Sequence, residues 1–269
     1  MTVPREPDPT SEPSEQQPQP LAQIQPQKIS VKLPERQPLV VYILLGITVF
    51  VFLLQMLTEG GQFGRCPFFN ETDLPVCYGI KVNELILDGQ WWRLITPVLL
   101  HANLLHIGFN MYALWVLGPE LERHFGHLPF LALYLLSGFA GVVLSFLLTP
   151  NASLGASTAV FGLLAAQGMF VYRNQRLFGR RAQLMLRNII NIAVINLLIG
   201  LSPGIDNWGH VGGLLGGGLF ALLAAPVYKV EGDELDYRLV NRTPQDRIWM
   251  ASLVVAVVFG GLAYTKFVL

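Results

Sequence analysis

The stretch Gly155-Ala156-Ser157-Thr158-Ala159-Val160-Phe161-Gly162 decides how this chain is read. It continues as an apolar run to about residue 172, so it sets a serine at the mouth of a membrane segment. A second segment opens in the same way, with Asn207-Trp208-Gly209-His210-Val211-Gly212-Gly213. A hydroxyl and an imidazole near one face of a membrane are the minimal kit for nucleophilic catalysis, the imidazole taking the proton while the oxygen attacks. Ionisable residues in lipid are costly and mark function. Together the two stretches predict a hydrolase that works inside a bilayer.

Composition agrees with a membrane setting. Of the 269 residues, 52% are hydrophobic and 13% charged, with a mean hydropathy of +0.46, where a soluble domain carries about 25% charged residues. Eighteen basic and eighteen acidic residues cancel, so no basic excess points to a nucleic-acid partner. Two cysteines are too few for a disulfide framework. Whether Cys66 and Cys77 pair is left open, because spacing alone carries no geometry. Residues 1–38 are polar and rich in Pro, Gln, Ser and Glu, which predicts a disordered tail and no cleavable leader.

A membrane-spanning helix needs roughly 20 mostly apolar residues. Seven segments qualify, at about 39–57, 97–117, 129–148, 157–172, 183–201, 208–228 and 248–268. Fourteen of the eighteen Lys and Arg residues fall in the tail and in alternate connections, the remainder being Arg65, Lys81, Arg93 and Lys266. That asymmetry predicts a cytoplasmic N-terminus and an external C-terminus. The second, fourth and sixth spans then all enter from outside, which gathers His101, His106, Asn110, Ser157 and His210 in the outer half of the bilayer.

His106 and Asn110 are four residues apart and share a helical face. His101 lies about a turn and a half nearer the outer surface and reads as structural, holding the outer loop or a water. A tetrahedral acyl intermediate needs preorganised donors for its oxyanion. The Asn110 amide, the His106 ring and the Ser157 backbone N–H are candidates, the last aided by the positive end of its helix. Gly209, Gly213 and Gly217 recur every four residues, as do Gly212 and Gly216, and Gly162 pairs with Ala166. Such spacing lets membrane helices approach closely. The five-residue step between the two histidines turns them about 140° apart, and the spans offer no Cys or acidic ligand, so no metal is expected. His124 and His127 read as solvated or interfacial, and Trp91, Trp92 and Arg93 as an interfacial belt with a snorkelling cation.

The motifs His101-x4-His106-x3-Asn110, Gly155-Ala156-Ser157 with Phe161-Gly162, and Gly209-His210 followed by glycines occur in that order, with Trp92-Arg93 ahead of them. In these the chain resembles the rhomboid intramembrane serine proteases over about residues 39–228. The resemblance implies an all-α polytopic membrane protein, with a six-helix core at 39–228 that includes an outer loop at 58–95. A cytoplasmic loop and a seventh transmembrane helix would follow at 229–269. It implies a Ser–His dyad without a third acid, Ser157 as nucleophile and His210 as general base, with His106 and Asn110 stabilising the oxyanion. Trp92 and Arg93 would hold the outer loop. Substrates would be single-pass membrane proteins in the lipid bilayer, cut in or near the outer part of their spanning segment. No cofactor is implied, and the setting would be a bacterial inner membrane.

Thr158 stands where many members of that family carry glycine, and its β-branch stiffens the backbone beside an oxyanion donor. A non-catalytic relative that binds client helices is the competing class, and the presence of both Ser157 and His210 argues against it. A solute channel fits poorly, since no charged relay crosses the bilayer. Oligomeric state is not legible.

Overall fold

Lipid offers no hydrogen bonds to a peptide backbone, so long apolar runs such as Val40–Thr58 become helices that satisfy themselves. The computed structural model describes residues 37–232 and 237–269. The disordered tail expected at 1–38 lies, through residue 36, outside the described residues. In chain order come α1 (Val40–Thr58), the short helices α2 (Leu74–Gly79) and α3 (Asn83–Leu87), and 3₁₀ turns at Trp91–Leu94 and Thr96–Leu99. Then follow α4 (Leu104–Phe125), α5 (His127–Leu148), α6 (Ser157–Arg173), the single turn α7 (Gln175–Phe178), α8 (Arg181–Ile199) and α9 (Asn207–Ala224). A hairpin of β1 (Tyr228–Glu231) and β2 (Arg238–Asn241), antiparallel with Tyr228 opposite Asn241, leads to α10 (Asp246–Val268).

Among the described residues, seven long helices match the seven expected spans to within two residues at either end, except that α9 stops at Ala224, short of 228, where β1 has already begun, and except at the second. That span was expected from residue 97, yet α4 begins at Leu104. Pro97 sits in a 3₁₀ turn, and the Asn103 side chain starts the helix by accepting the His106 N–H at 2.9 Å. His101 therefore precedes the helix instead of riding on it. Among the described residues, four helices, α1, α5, α8 and α10, are long and apolar enough to cross a membrane by length and composition. Exposed side chains such as Phe50, Leu184, Ile195, Leu253 and Val257 form the surface that lipid covers. The protein is an integral, multi-pass membrane protein of all-α architecture.

Helices α5, α6 and α9 make the centre, around Val143, Phe146, Leu163 and Phe220. Their backbones touch. A β-carbon on Gly217 would fall 2.4 Å from the Gly162 Cα, and one on Gly162 would fall 2.1 Å from the Ser137 Cβ. The four-residue glycine spacing is thus used for contact between helices, as expected for small residues in membranes.

At the far end from Ser157, the Glu122 carboxylate accepts the N–H groups of Leu39, Val40 and Val41, each at 2.8 Å. These are among the donors that the first turn of α1 cannot satisfy itself. His127, expected to be solvated or interfacial, keeps a partly exposed side chain while its Nδ1 lies 2.5 Å from the same carboxylate. The His124 ring, also expected to be solvated or interfacial, stacks on Phe170 at 4.3 Å.

The segment between α1 and α4 is tied down from several sides. Cys66 and Cys77 form a disulfide, settling what spacing left open. Arg93 does not snorkel. It is fully buried, and its guanidinium donates to the carbonyls of Ile80 and Cys77 and to Gln90 Oε1 at 2.6–2.8 Å. The loop turns those carbonyls inward, and a planar fork of donors gathers several at once. Trp92 adds an indole bond to the Tyr78 carbonyl at 2.8 Å.

Candidate active site

Ser157 is the first residue of α6, and its approach is set by Gly155 at φ +133°. That backbone region is strained for any side chain. A β-carbon there would also stand 2.7 Å from His106 Nε2, so Gly155 serves both the turn and the close approach. The segment ahead of it is anchored to the loop between α1 and α4, where Lys81 and Ser153 exchange backbone hydrogen bonds of 3.1 and 3.2 Å. The Lys81 ammonium donates to the carbonyls of Thr149 and Asn151 at 2.9 and 2.8 Å, and Asn83 to that of Thr149 at 3.0 Å. Lys266 of α10 donates to Phe146 O. These cations meet the negative, carbonyl-rich end of α5. Burial brings Lys81 down to about 8, against the pull of Asp206.

On α9 the Asp206 side chain accepts the Gly209 N–H at 2.9 Å and so starts the helix just before His210. His210 Nε2 lies 3.0 Å from Ser157 Oγ. The imidazole stacks on Phe161, four residues along α6 from the serine, at 4.3 Å between centroids and 10° between planes. Among the described residues nothing bonds His210 Nδ1, so a two-residue pair without an acid is what the geometry presents. Ser157, His210, His106, Gly155, Thr158 and Asp206 share a cavity of about 320 Å³.

The other expected residues fall into place unequally. His106 borders the cavity, and its Nδ1 accepts the Ala102 N–H at 3.4 Å. A neutral ring that accepts at Nδ1 carries its proton on Nε2, the nitrogen beside Gly155. Asn110 is buried one turn further along α4, where its Nδ2 donates to the His106 carbonyl at 3.0 Å, and it does not line the cavity. His101 was expected nearer the surface and is instead 1% exposed. Its Nε2 accepts the Ala156 N–H at 3.4 Å, from beneath the serine turn. Gln55 of α1 grips the His101 backbone through two bonds of 3.0 Å. Sequence reasoning missed Gln55, Lys81 and Glu122. A glutamine inside the most apolar span was the one legible signal. Trp92 and Arg93 lie in the segment between α1 and α4 and do not line the cavity.

Thr158 is wedged between helices. The Cβ of a side chain at Gly141 would come 2.5 Å from Thr158 Cβ, and one at Gly209 would come 3.1 Å from its methyl. No group of three His, Cys, Asp or Glu side chains placed to hold a metal occurs among the described residues.

The chain is similar to known proteins over this region. The profile of the Rhomboid domain matches residues 88–227, which include every residue of the cavity just described. The chain is 38% identical over 182 residues to the rhomboid protease GluP of Bacillus subtilis, covering 67% of this chain and 34% of that protein. To RHOMBOID-like protein 2 of Arabidopsis thaliana it is 32% identical over 194 residues, 71% of this chain and 60% of the relative. To the chloroplastic RHOMBOID-like protein 9 of the same plant it is 31% identical over 175 residues, 64% and 40%. The matched region thus spans about a third to three fifths of these relatives' lengths. With more than half of its length matched by the domain and a serine and histidine in hydrogen-bonding contact inside it, the chain belongs to the rhomboid family.

Proposed function

We propose that this protein is an intramembrane serine endopeptidase that cleaves single-pass membrane proteins through an acyl-enzyme. The observation that carries the reading is the 3.0 Å contact between Ser157 Oγ and His210 Nε2 across two helices. His210 takes the hydroxyl proton as Ser157 attacks the scissile carbonyl, then gives it to the leaving amine. A water, deprotonated by the same imidazole, releases the new carboxyl end and restores the serine. No acid need orient the ring, since stacking on Phe161 fixes its plane.

Charge that develops on the carbonyl oxygen meets the Ser157 backbone N–H at the start of α6 and the His106 Nε2 proton. Asn110 reaches the same charge once its amide leaves the His106 carbonyl. The core at 39–228 is the catalytic unit, and the loop and helix of 229–269 are an addition to it. The distribution of Lys and Arg supports a cytoplasmic N-terminus, which sets the cavity toward the outer face.

The test is incubation of the detergent-purified protein with a panel of transmembrane peptides, with Ser157→Ala beside the wild type. Cleavage by the wild type alone, at positions found by mass spectrometry, supports the proposal. Equal products from both proteins reject Ser157 as the nucleophile, and no products from either across the panel favour a protein that binds client helices without cutting them.

A further inference from the structure

A second cavity, of about 850 Å³, opens at the other end of the helix that Ser157 begins. Some 24 Å of helix separates Ser157 from Arg173 at 1.5 Å per residue, so this cavity sits near the opposite membrane interface. Its wall carries three cations, Arg173, Arg176 and Lys229, and no Asp or Glu among the described residues. Arg173 is held in place by its bond to the Leu222 carbonyl at 3.0 Å. Arg176 and Lys229 are exposed and form no ion pair among the described residues. The nearest carboxylate on β1, Glu231, is taken by Arg242. Arg247 adds a further positive charge within electrostatic reach of Arg173. Like charges gathered in this way repel one another, and an anion between them removes the repulsion.

The apolar part of the wall chooses the anion. Tyr172, Leu177 and Val230 line the same cavity and are 60%, 39% and 47% exposed. A tyrosine at this depth belongs to the aromatic belt of a membrane interface. A phosphate for the cations and a hydrocarbon for the apolar side chains are combined in one molecule, a phospholipid.

We propose that Arg173, Arg176 and Lys229 form a binding site for the phosphate of an anionic phospholipid, at the end of the molecule opposite Ser157. The site does not depend on the catalytic reading. A basic cavity among membrane helices recognises such headgroups by charge, and each cation near the surface contributes separately.

The experiment titrates the full chain in detergent with phosphatidylglycerol, phosphatidylcholine or inorganic phosphate, and counts bound molecules by native mass spectrometry. Phosphatidylglycerol is expected to bind at least tenfold more tightly than phosphatidylcholine. Arg176→Gln and Lys229→Gln should each weaken it about fivefold, the worth of one near-surface cation. Both positions are exposed, and an unchanged melting temperature confirms that the variants fold. Arg180→Gln removes an exposed cation of the same end outside the cavity, and should change binding less than twofold. Equal weakening by Arg180→Gln overturns the site in favour of a diffuse field. Displacement of the lipid by equimolar inorganic phosphate assigns it to a soluble anion instead. No effect of Arg176→Gln or Lys229→Gln also overturns the proposal.

Discussion

The carbonyl oxygen of Thr158 lies 2.0 Å from where a β-carbon on residue 213 would stand, so Gly213 rests directly on the backbone of α6. Thr158 follows the serine by one residue and Gly213 follows His210 by three. The contact therefore sets the gap between the two helices at the level where Ser157 and His210 meet.

Gly213→Ala should push α9 away from α6 without touching either reactive side chain. Overpacking of this kind costs about 1–3 kcal/mol, and a hydrogen bond at 3.0 Å does not survive a shift of an ångström. Proteolysis is expected to fall at least a hundredfold in kcat/KM while the protein still inserts and folds. Full activity in the alanine variant would show that the helix gap is not what poises the dyad.

Ser157→Ala and His210→Ala should each abolish cleavage, and the double variant should be no worse than either, because the two act as one unit. A fluorophosphonate probe should label Ser157 alone and lose its label as acid protonates His210. An adduct mapped to Ser137, Ser145 or Ser153 contradicts the assignment.

His106→Ala and Asn110→Ala separate two roles. Loss of one oxyanion donor lowers kcat by roughly 10²–10³-fold with little change in KM. His106, which borders the cavity, should show the larger kcat effect, and Asn110, bonded to the His106 carbonyl, should also lose thermal stability. A wild-type kcat in His106→Ala removes it from the oxyanion site.

Glu122→Ala leaves the N–H groups of Leu39, Val40 and Val41 without their acceptor. Breaking a buried charged network of this size costs about 3–5 kcal/mol, so the melting temperature should drop by roughly 6–20 °C. The site lies at the other end of the bundle, and activity per folded molecule should persist. An unchanged melting temperature would mean that water replaces the carboxylate.

Lys81 gives a pH signature. Burial holds it at about 8 in the folded protein, against 10.5 as the ordinary value. Between those limits the unfolded chain binds the extra proton, so the lysine's contribution to stability rises with pH. Below about 8 both states carry the charge and the contribution is constant. The melting temperature of the wild type, measured against Lys81→Met, should therefore gain between pH 8 and 10.5 and stay level from pH 6 to 7.5. A difference that shrinks above pH 8 reverses the sign of this argument.

What the sequence by itself determined was periodic and local. Apolar runs located seven long helices, four-residue glycine steps marked the faces that touch, and the order of His106, Asn110, Ser157 and His210 marked the candidate site. Local information ends where one segment reads another. Only the tertiary structure decided that α4 starts seven residues late, that His101 lies under the serine turn, and that Arg93 faces inward. The same holds for Cys66–Cys77, whose pairing requires the loop to bring both cysteines together. Gln55 meets His101 across 46 residues, Lys81 meets Thr149 across 68, and Glu122 meets Leu39 across 83. Each places a polar side chain where unpaired backbone groups would otherwise be buried, and the identity of those groups depends on how the chain has folded back on itself.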